Sequence, residues 1–186
     1  THLDKTAKYN WNYTNGFFIN GLMELYQQTN DSIYLEYAES YFAQFIDDLG
    51  NMDTLQYPAE KHELDAILPG RALLDLYQLT GNEKYQKGAS YLIDQLAQQP
   101  RTSEGGFWHK KVYQHQMWLD GIYMADVFML QYATAFNNIN LKTDVLNQFS
   151  LIDAHTYDSV SGLLFHGWDE SKSRKWANPV SGRSPE

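Results

Sequence analysis

The 186-residue sequence predicts an all-α protein of the α/α toroid class, built from hairpins that pair an inner with an outer helix. Three observations predict it. A segment recurs 51 positions later, helices apolar nearly all round alternate with helices apolar on one face, and no alternating strand run of useful length appears.

The recurrence joins "LYQQTNDSIYLEYAESYF" (25–42) to "LYQLTGNEKYQKGASYLI" (76–93) and keeps Leu25/Leu76, Tyr26/Tyr77, Thr29/Thr80, Tyr34/Tyr85 and Ala38/Ala89. A weaker third copy begins near Tyr132. Units of this length are stacked supersecondary pieces, each too small to bury its own apolar face. The first helix of a unit, seen in "GFFINGLMELY" (16–26) and "GIYMADVFML" (121–130), is apolar nearly all round, which predicts cover on both sides. The second helix of the first unit places Tyr34, Tyr37, Ala38, Tyr41, Phe42, Phe45, Ile46 and Leu49 on one stripe, with Glu36, Glu39, Asp47 and Asp48 elsewhere. Asn30-Asp31 and Gly81-Asn82 supply the turns. Three hairpins thus occupy roughly residues 12 to 155, and the Gly-, Ser- and Trp-rich tail 156–186 reads as loop.

Bulk properties narrow the function. The length suits one domain with a sizeable core. A net charge of −9 with no basic block argues against nucleic acid and against anionic membrane surfaces. With no cysteine there is neither a disulfide framework nor a thiolate metal site. No apolar run reaches the length of a membrane span. The chain opens on Thr1, not Met, so the compartment stays open between a bacterial cytoplasm and a periplasmic or secreted place reached with a leader removed.

Asn15, Asp65 and Asp120 stand 11, 12 and 12 residues before the repeated Tyr26, Tyr77 and Tyr132, which predicts three polar side chains at inner-helix N-termini facing one mouth. A carboxylate there is favoured by the helix dipole and can cap free N–H groups. The company is richer than capping needs. His62 and Glu63 precede Asp65; Trp108, His109, His115, Gln116 and Trp118 precede Asp120; His166 and Trp168 follow in the tail. No HExxH and no short-range histidine spacing suggests a metal, and no GxSxG marks a serine hydrolase, so neither metal nor cofactor is expected. Aromatic platforms beside Asp, Gln and His suit a saccharide, whose rings stack on Trp and Tyr while polar groups bind its hydroxyls. Two carboxylates, Asp65 and Asp120, suit general acid/base work.

The segments "WNYTNG" (11–16), "HELDAILPGRALLDLYQLTGNEKY" (62–85), "GGFWHKKVYQHQMWLDGIYMADVFMLQYA" (105–133) and "FHGWDESKSRKWANPVSG" (165–182) resemble the unsaturated rhamnogalacturonyl hydrolases of glycoside hydrolase family 105, related to the unsaturated glucuronyl hydrolases of family 88. The resemblance covers essentially the whole chain. It implies an (α/α)6 barrel that removes a 4,5-unsaturated uronic acid from oligosaccharides left by polysaccharide lyases. In such enzymes one aspartate, falling on Asp120, protonates the C4=C5 vinyl ether and activates the water that attacks C5. The same resemblance puts a second aspartate on Asp65, substrate-contacting histidines on His109 and His166, and Trp118 in an aromatic wall; Gln116 joins the expected substrate contacts. An apolar, Trp-lined entrance with Asp65 nearby favours the proton-bearing form such an acid needs, while the helix dipole opposes it.

Six hairpins close the family barrel and about three are present, so residues 1–186 read as one incomplete domain, the N-terminal half of a barrel. The apolar inner helices then predict a homodimer through the unclosed face. Two rival readings remain: a truncated half-toroid that binds a saccharide or protein without turnover, and an inverting glycosidase that uses Asp65 with Asp120.

Overall fold

The computed structural model describes residues 9–185; the expected span 1–186 extends beyond these at both ends. Six α-helices and one two-stranded sheet occur among the described residues, and the chain divides into two compact units.

The first unit comprises the described residues up to Glu60 together with Ala66–Gln95. Its hairpins are α1 (Tyr13–Thr29) with α2 (Ser32–Phe42), and α3 (Gly70–Thr80) with α4 (Glu83–Ala97). The repeated residues build the same turn twice. Thr29 and Thr80 each donate a hydroxyl to the carbonyl four residues back, Leu25 at 2.7 Å and Leu76 at 2.6 Å. Each also accepts from the N–H two residues on, Asp31 and Asn82. Asn30 and Gly81 then turn left-handed, with φ of 55° and 67°, and donate to the carbonyls of Tyr26 and Tyr77. The five shared positions are therefore a hydrogen-bonded motif plus two packing sites, of which Ala38 and Ala89 are wholly buried.

An edge-on aromatic cluster forms the core of this unit. Trp11 meets Phe42, Phe45 and Tyr57 at centroid distances of 5.2–5.7 Å and interplanar angles of 61–86°, and its indole N–H donates to Ala66 O at 2.7 Å. Gly16 lets α1 approach Pro69, since a Cβ there would lie 2.9 Å from the proline ring. Two sequence expectations need correction. The apolar stripe of α2 does not continue as helix to Leu49: the helix ends at Phe42, Phe45 and Ile46 are buried in the turn beyond it, and Leu49 is exposed. Asp47 stops the helix by accepting from the N–H groups of Leu49 and Asn51, a local alternative to helical bonding. Nor is α1 covered all round. Phe17, Phe18 and Leu25 are nearly half exposed, because the described residues of the unit offer α1 only α2 and α3 as helical neighbours.

The second unit comprises Lys61–Asp65 and the residues from Leu96 onward. Its hairpin joins α5 (Val127–Ala135) to α6 (Ile139–Thr156), and its turn is one residue longer than the first two, with Asn137 left-handed at φ 52° and Asn138 as N-cap. That extra residue is why the third sequence copy is faint. A π-helical turn, Ile122–Asp126, leads into α5, and Tyr123 and Leu130 are exposed on this helix as well. The tail, expected as loop, contains a strand. β1 (Gln116–Trp118) pairs antiparallel with β2 (Gly167–Asp169) in the register Gln116–Asp169, Met117–Trp168, Trp118–Gly167. Met117, Leu151, Ile152 and Trp168 pack together beneath it. Asp169 is fully buried, yet the N–H groups of Ser171, Ser173 and Arg174 and the Ser171 hydroxyl outweigh burial and hold its carboxyl below the usual range. That cluster fixes the chain just after β2.

Candidate active site

Asp65, His109, Lys110, Trp118, Asp120 and His166 all belong to the second unit. Two local devices bring the first four together. A single antiparallel bridge pairs Glu63 with Lys110, and Leu64 N–H donates to His109 O at 3.0 Å, which sets the 3₁₀ turn carrying Asp65 (Leu64–Ile67) beside His109. His109 N–H donates in turn to Gln116 O at 2.8 Å, and Leu119 N–H donates to His166 O at 2.7 Å. Asp120 is the first helical residue before the π turn, a helix irregularity often found at functional sites.

His109 is the hub. Its Nε2 lies 3.0 Å from Asp65 Oδ1, and its Nδ1 lies 3.7 Å from Asp120 Oδ1. The second oxygen of Asp65 takes the Lys110 ammonium at 2.7 Å. Burial alone would raise the Asp65 carboxyl; the hydrogen bond and charge of His109, with Lys110, hold it down to about 2 instead. In Lys110 burial works against the ammonium, but Asp65 overcomes it and raises the amine. The sequence expectation that Asp65 caps its helix is therefore not met: α3 starts at Gly70 behind Pro69 with no side-chain cap, and both Asp65 oxygens serve His109 and Lys110.

Trp118 forms the wall. Its ring stacks on His109 at 4.7 Å and 9° and on Tyr113 at 5.0 Å and 17°, with His166 tilted across it at 5.6 Å. His166 is exposed and His109 is 1% exposed, so the two histidines are placed very differently. Gln116 is buried, and its carboxamide oxygen accepts from the Trp118 indole N–H at 3.3 Å. His115 turns away to Glu170 at 3.3 Å and to Trp108. His62 contributes its carbonyl, which accepts from Gln99 and Lys111. Asn15 belongs to the first unit, where its amide donates to Asn10 O. Sequence reasoning missed Tyr113 as a stacking partner; only the local density of aromatics in "WHKKVYQHQMW" hinted at it.

Asp65, His109 and Asp120 offer ligand atoms within 4.8 Å of one another, the size of a metal site. A cation there would compete with the Lys110 ammonium for Asp65, which makes this donor set a poor fit. The arrangement is suited instead to handling a proton at Asp120, whose side chain is one-third exposed beside a flat aromatic plate.

The comparisons agree with this chemistry. Unsaturated rhamnogalacturonyl hydrolase YesR of Bacillus subtilis (strain 168) is 24% identical over 180 residues, 94% of this chain and 50% of that protein. The solved structure of a glycoside hydrolase from family 105 of C. acetobutylicum ATCC 824 matches at a TM-score of 0.89 and 36% identity, over 95% of this chain and 48% of that one. A possible family 105 member from Klebsiella pneumoniae, at TM-score 0.77 and 23% identity over 90% and 42% of the two chains, shows the shared fold. The chain thus spans about half the length of these relatives, and its fold is the all-α hairpin architecture of the α/α toroid. The sequence pattern of Glycosyl Hydrolase Family 88 matches residues 1–186, and the chain belongs to that family.

Proposed function

We propose that the protein removes a 4,5-unsaturated uronic acid of the rhamnogalacturonyl type from lyase-generated oligosaccharides, by hydrating the C4=C5 bond. Asp120 gives a proton to C4 and takes one from the water that attacks C5; the hemiketal so formed collapses and releases the sugar. Trp118 and Tyr113 carry the sugar ring, His166 and Gln116 serve the substrate side of the wall, and Lys110 and His109 supply positive charge for an anionic substrate in an acidic protein.

One observation carries this reading over an inverting pair. Both Asp65 oxygens are engaged, by His109 at 3.0 Å and Lys110 at 2.7 Å, so Asp65 is poorly placed to act as a second proton-transfer group. A single working aspartate suits hydration, which needs one group in both roles, better than inversion, which needs two. The test follows ultraviolet absorbance of the C=C bond in unsaturated rhamnogalacturonyl and unsaturated glucuronyl disaccharides. Faster loss with the former is expected; no loss with either would favour a binding module without turnover.

We also infer that residues 1–186 correspond to one half of an (α/α)6 barrel, supported by the half-length matches. The exposed Phe17 and Phe18 of α1, and Tyr123 and Leu130 in the second unit, favour a homodimer over a free monomer. Light scattering on the purified chain decides between dimer and monomer.

A further inference from the structure

Two buried polar atoms of the site face each other with nothing between them. His109 Nδ1 and Asp120 Oδ1 are both inaccessible to water, neither has a hydrogen-bond partner, and they lie 3.7 Å apart. The other end of the ring is settled. Asp65 is held ionised, with its carboxyl at about 2, and it takes Nε2 at 3.0 Å, so Nε2 carries a proton and donates it. If the ring held only that proton, Nδ1 would present a lone pair to the lone pairs of Asp120 Oδ1. Two bare acceptors facing each other out of water are costly. A proton on Nδ1 removes the conflict, and active-site hydrogen bonds often stand long before substrate arrives and tighten afterwards.

We propose that His109 is an imidazolium braced between the two aspartates, donating Nε2–H to Asp65 and Nδ1–H to Asp120 Oδ1. It is a positioning residue. The ring keeps both protons throughout; the outer oxygen of Asp120 alone exchanges a proton with C4 and with water, and His109 balances the carboxylate charge between those two transfers. Lys110 then has a second task, since it keeps Asp65 ionised and thereby keeps the ring oriented. Stacking on Trp118 at 9° fixes the ring plane. This role rests on the reading of Asp120 as the proton carrier, and it moves His109 from the substrate's contacts to their support.

The test needs no substrate, so its outcome is separable from that of the activity assay. The chain is labelled with heavy nitrogen in histidine, and the imidazole signals are read by nuclear magnetic resonance at neutral pH in wild type and in Asp120→Ala. Both His109 nitrogens should report bound protons in wild type, and the Nδ1 signal should revert to a bare nitrogen in Asp120→Ala while Nε2 stays protonated. A bare Nδ1 in wild type, or an Nδ1 signal indifferent to Asp120→Ala, would overturn the proposal. A bare Nδ1 that moves only when zinc is added would place a cation in the gap and overturn it equally. As a second readout, His109→Gln should lower kcat at least tenfold with KM changed by less than threefold; the reverse split would return His109 to the substrate's contacts.

Discussion

The two units use aromatic rings in opposite ways. In the first, Trp11 meets Phe42, Phe45 and Tyr57 edge-on, at 61–86°, so ring faces are consumed by ring edges inside the core. In the second, His109, Trp118 and Tyr113 lie nearly parallel, at 9° and 17°, with Trp118 only half-buried. Edge-on packing fills volume in every direction and leaves no plane for a ligand. Parallel packing builds a plate. The same residue types therefore stabilise one unit and furnish a binding wall in the other, and a count of aromatics does not separate the two uses.

Substitutions can sharpen that contrast. The largest effect is expected at Asp120: Asp120→Asn should cut turnover by ~10²–10⁴-fold, the usual contribution of a general acid/base group, without changing the melting curve. Loss of ultraviolet absorbance at the double bond measures it. Next, Trp11→Ala should cost about 3–5 kcal/mol of stability in a urea melt, as expected for a buried Trp, whereas Trp118→Ala should leave the melt nearly unchanged and raise KM. Equal effects on stability would erase the distinction between core and plate.

Two buried carboxylates set a third, pH-dependent contrast. Asp75 in the first unit is pushed up to about 6 by burial, with Glu24 adding to it and Arg71 opposing. Its folded value exceeds the unfolded one, so ionising it costs stability once pH rises past about 4, and the full cost is reached above about 6. Asp75→Asn should therefore stabilise the chain at pH ~7.5, by up to about 3 kcal/mol, and make little difference at pH ~3.5. Asp65 is the opposite case. Its folded value of about 2 lies below the unfolded 3.8, so it contributes stability above pH ~4 that is lost as pH falls toward ~2. Lys110→Met should flatten that acid loss. Thermal melts across the two ranges show whether the slopes have these signs.

The smallest effect is expected at the hairpin turns. Gly81 is left-handed with open space around its Cα, so Gly81→Ala should cost only about 1 kcal/mol. Asn30→Gly, at the matching turn, should be nearly neutral. A larger loss at Gly81 would mean that the turn does more than reverse the chain.

What could be read from the sequence follows the reach of each interaction. The two matching turns were legible because Thr29, Asn30, Thr80 and Gly81 bond within four residues of themselves. Asp120 at the start of a helix was legible because an apolar run begins right behind it. The end of α2 was missed because the stripe of apolar residues outlasts the helix, while Asp47 and its neighbours turn the chain. The strand pair was illegible: three residues cannot display alternation, and the partners lie some 50 positions apart. The hold of Lys110 on Asp65, and the burial of His109, were hidden for the same reason, since both depend on the single bridge from Glu63 to Lys110. Candidate types were therefore found, but the division of labour among them came from contacts distant in the chain.

The central claim is that one carboxylate, Asp120, adds water across a double bond while Asp65 is held out of proton transfer. Turnover of an unsaturated rhamnogalacturonyl disaccharide in water enriched in both deuterium and heavy oxygen tests it most directly, with the product read by mass spectrometry and nuclear magnetic resonance. Deuterium at C4, heavy oxygen at C5 and a keto-uronate product are predicted. Heavy oxygen at C1 of a uronate whose double bond is intact would show displacement at the glycosidic carbon and contradict the account.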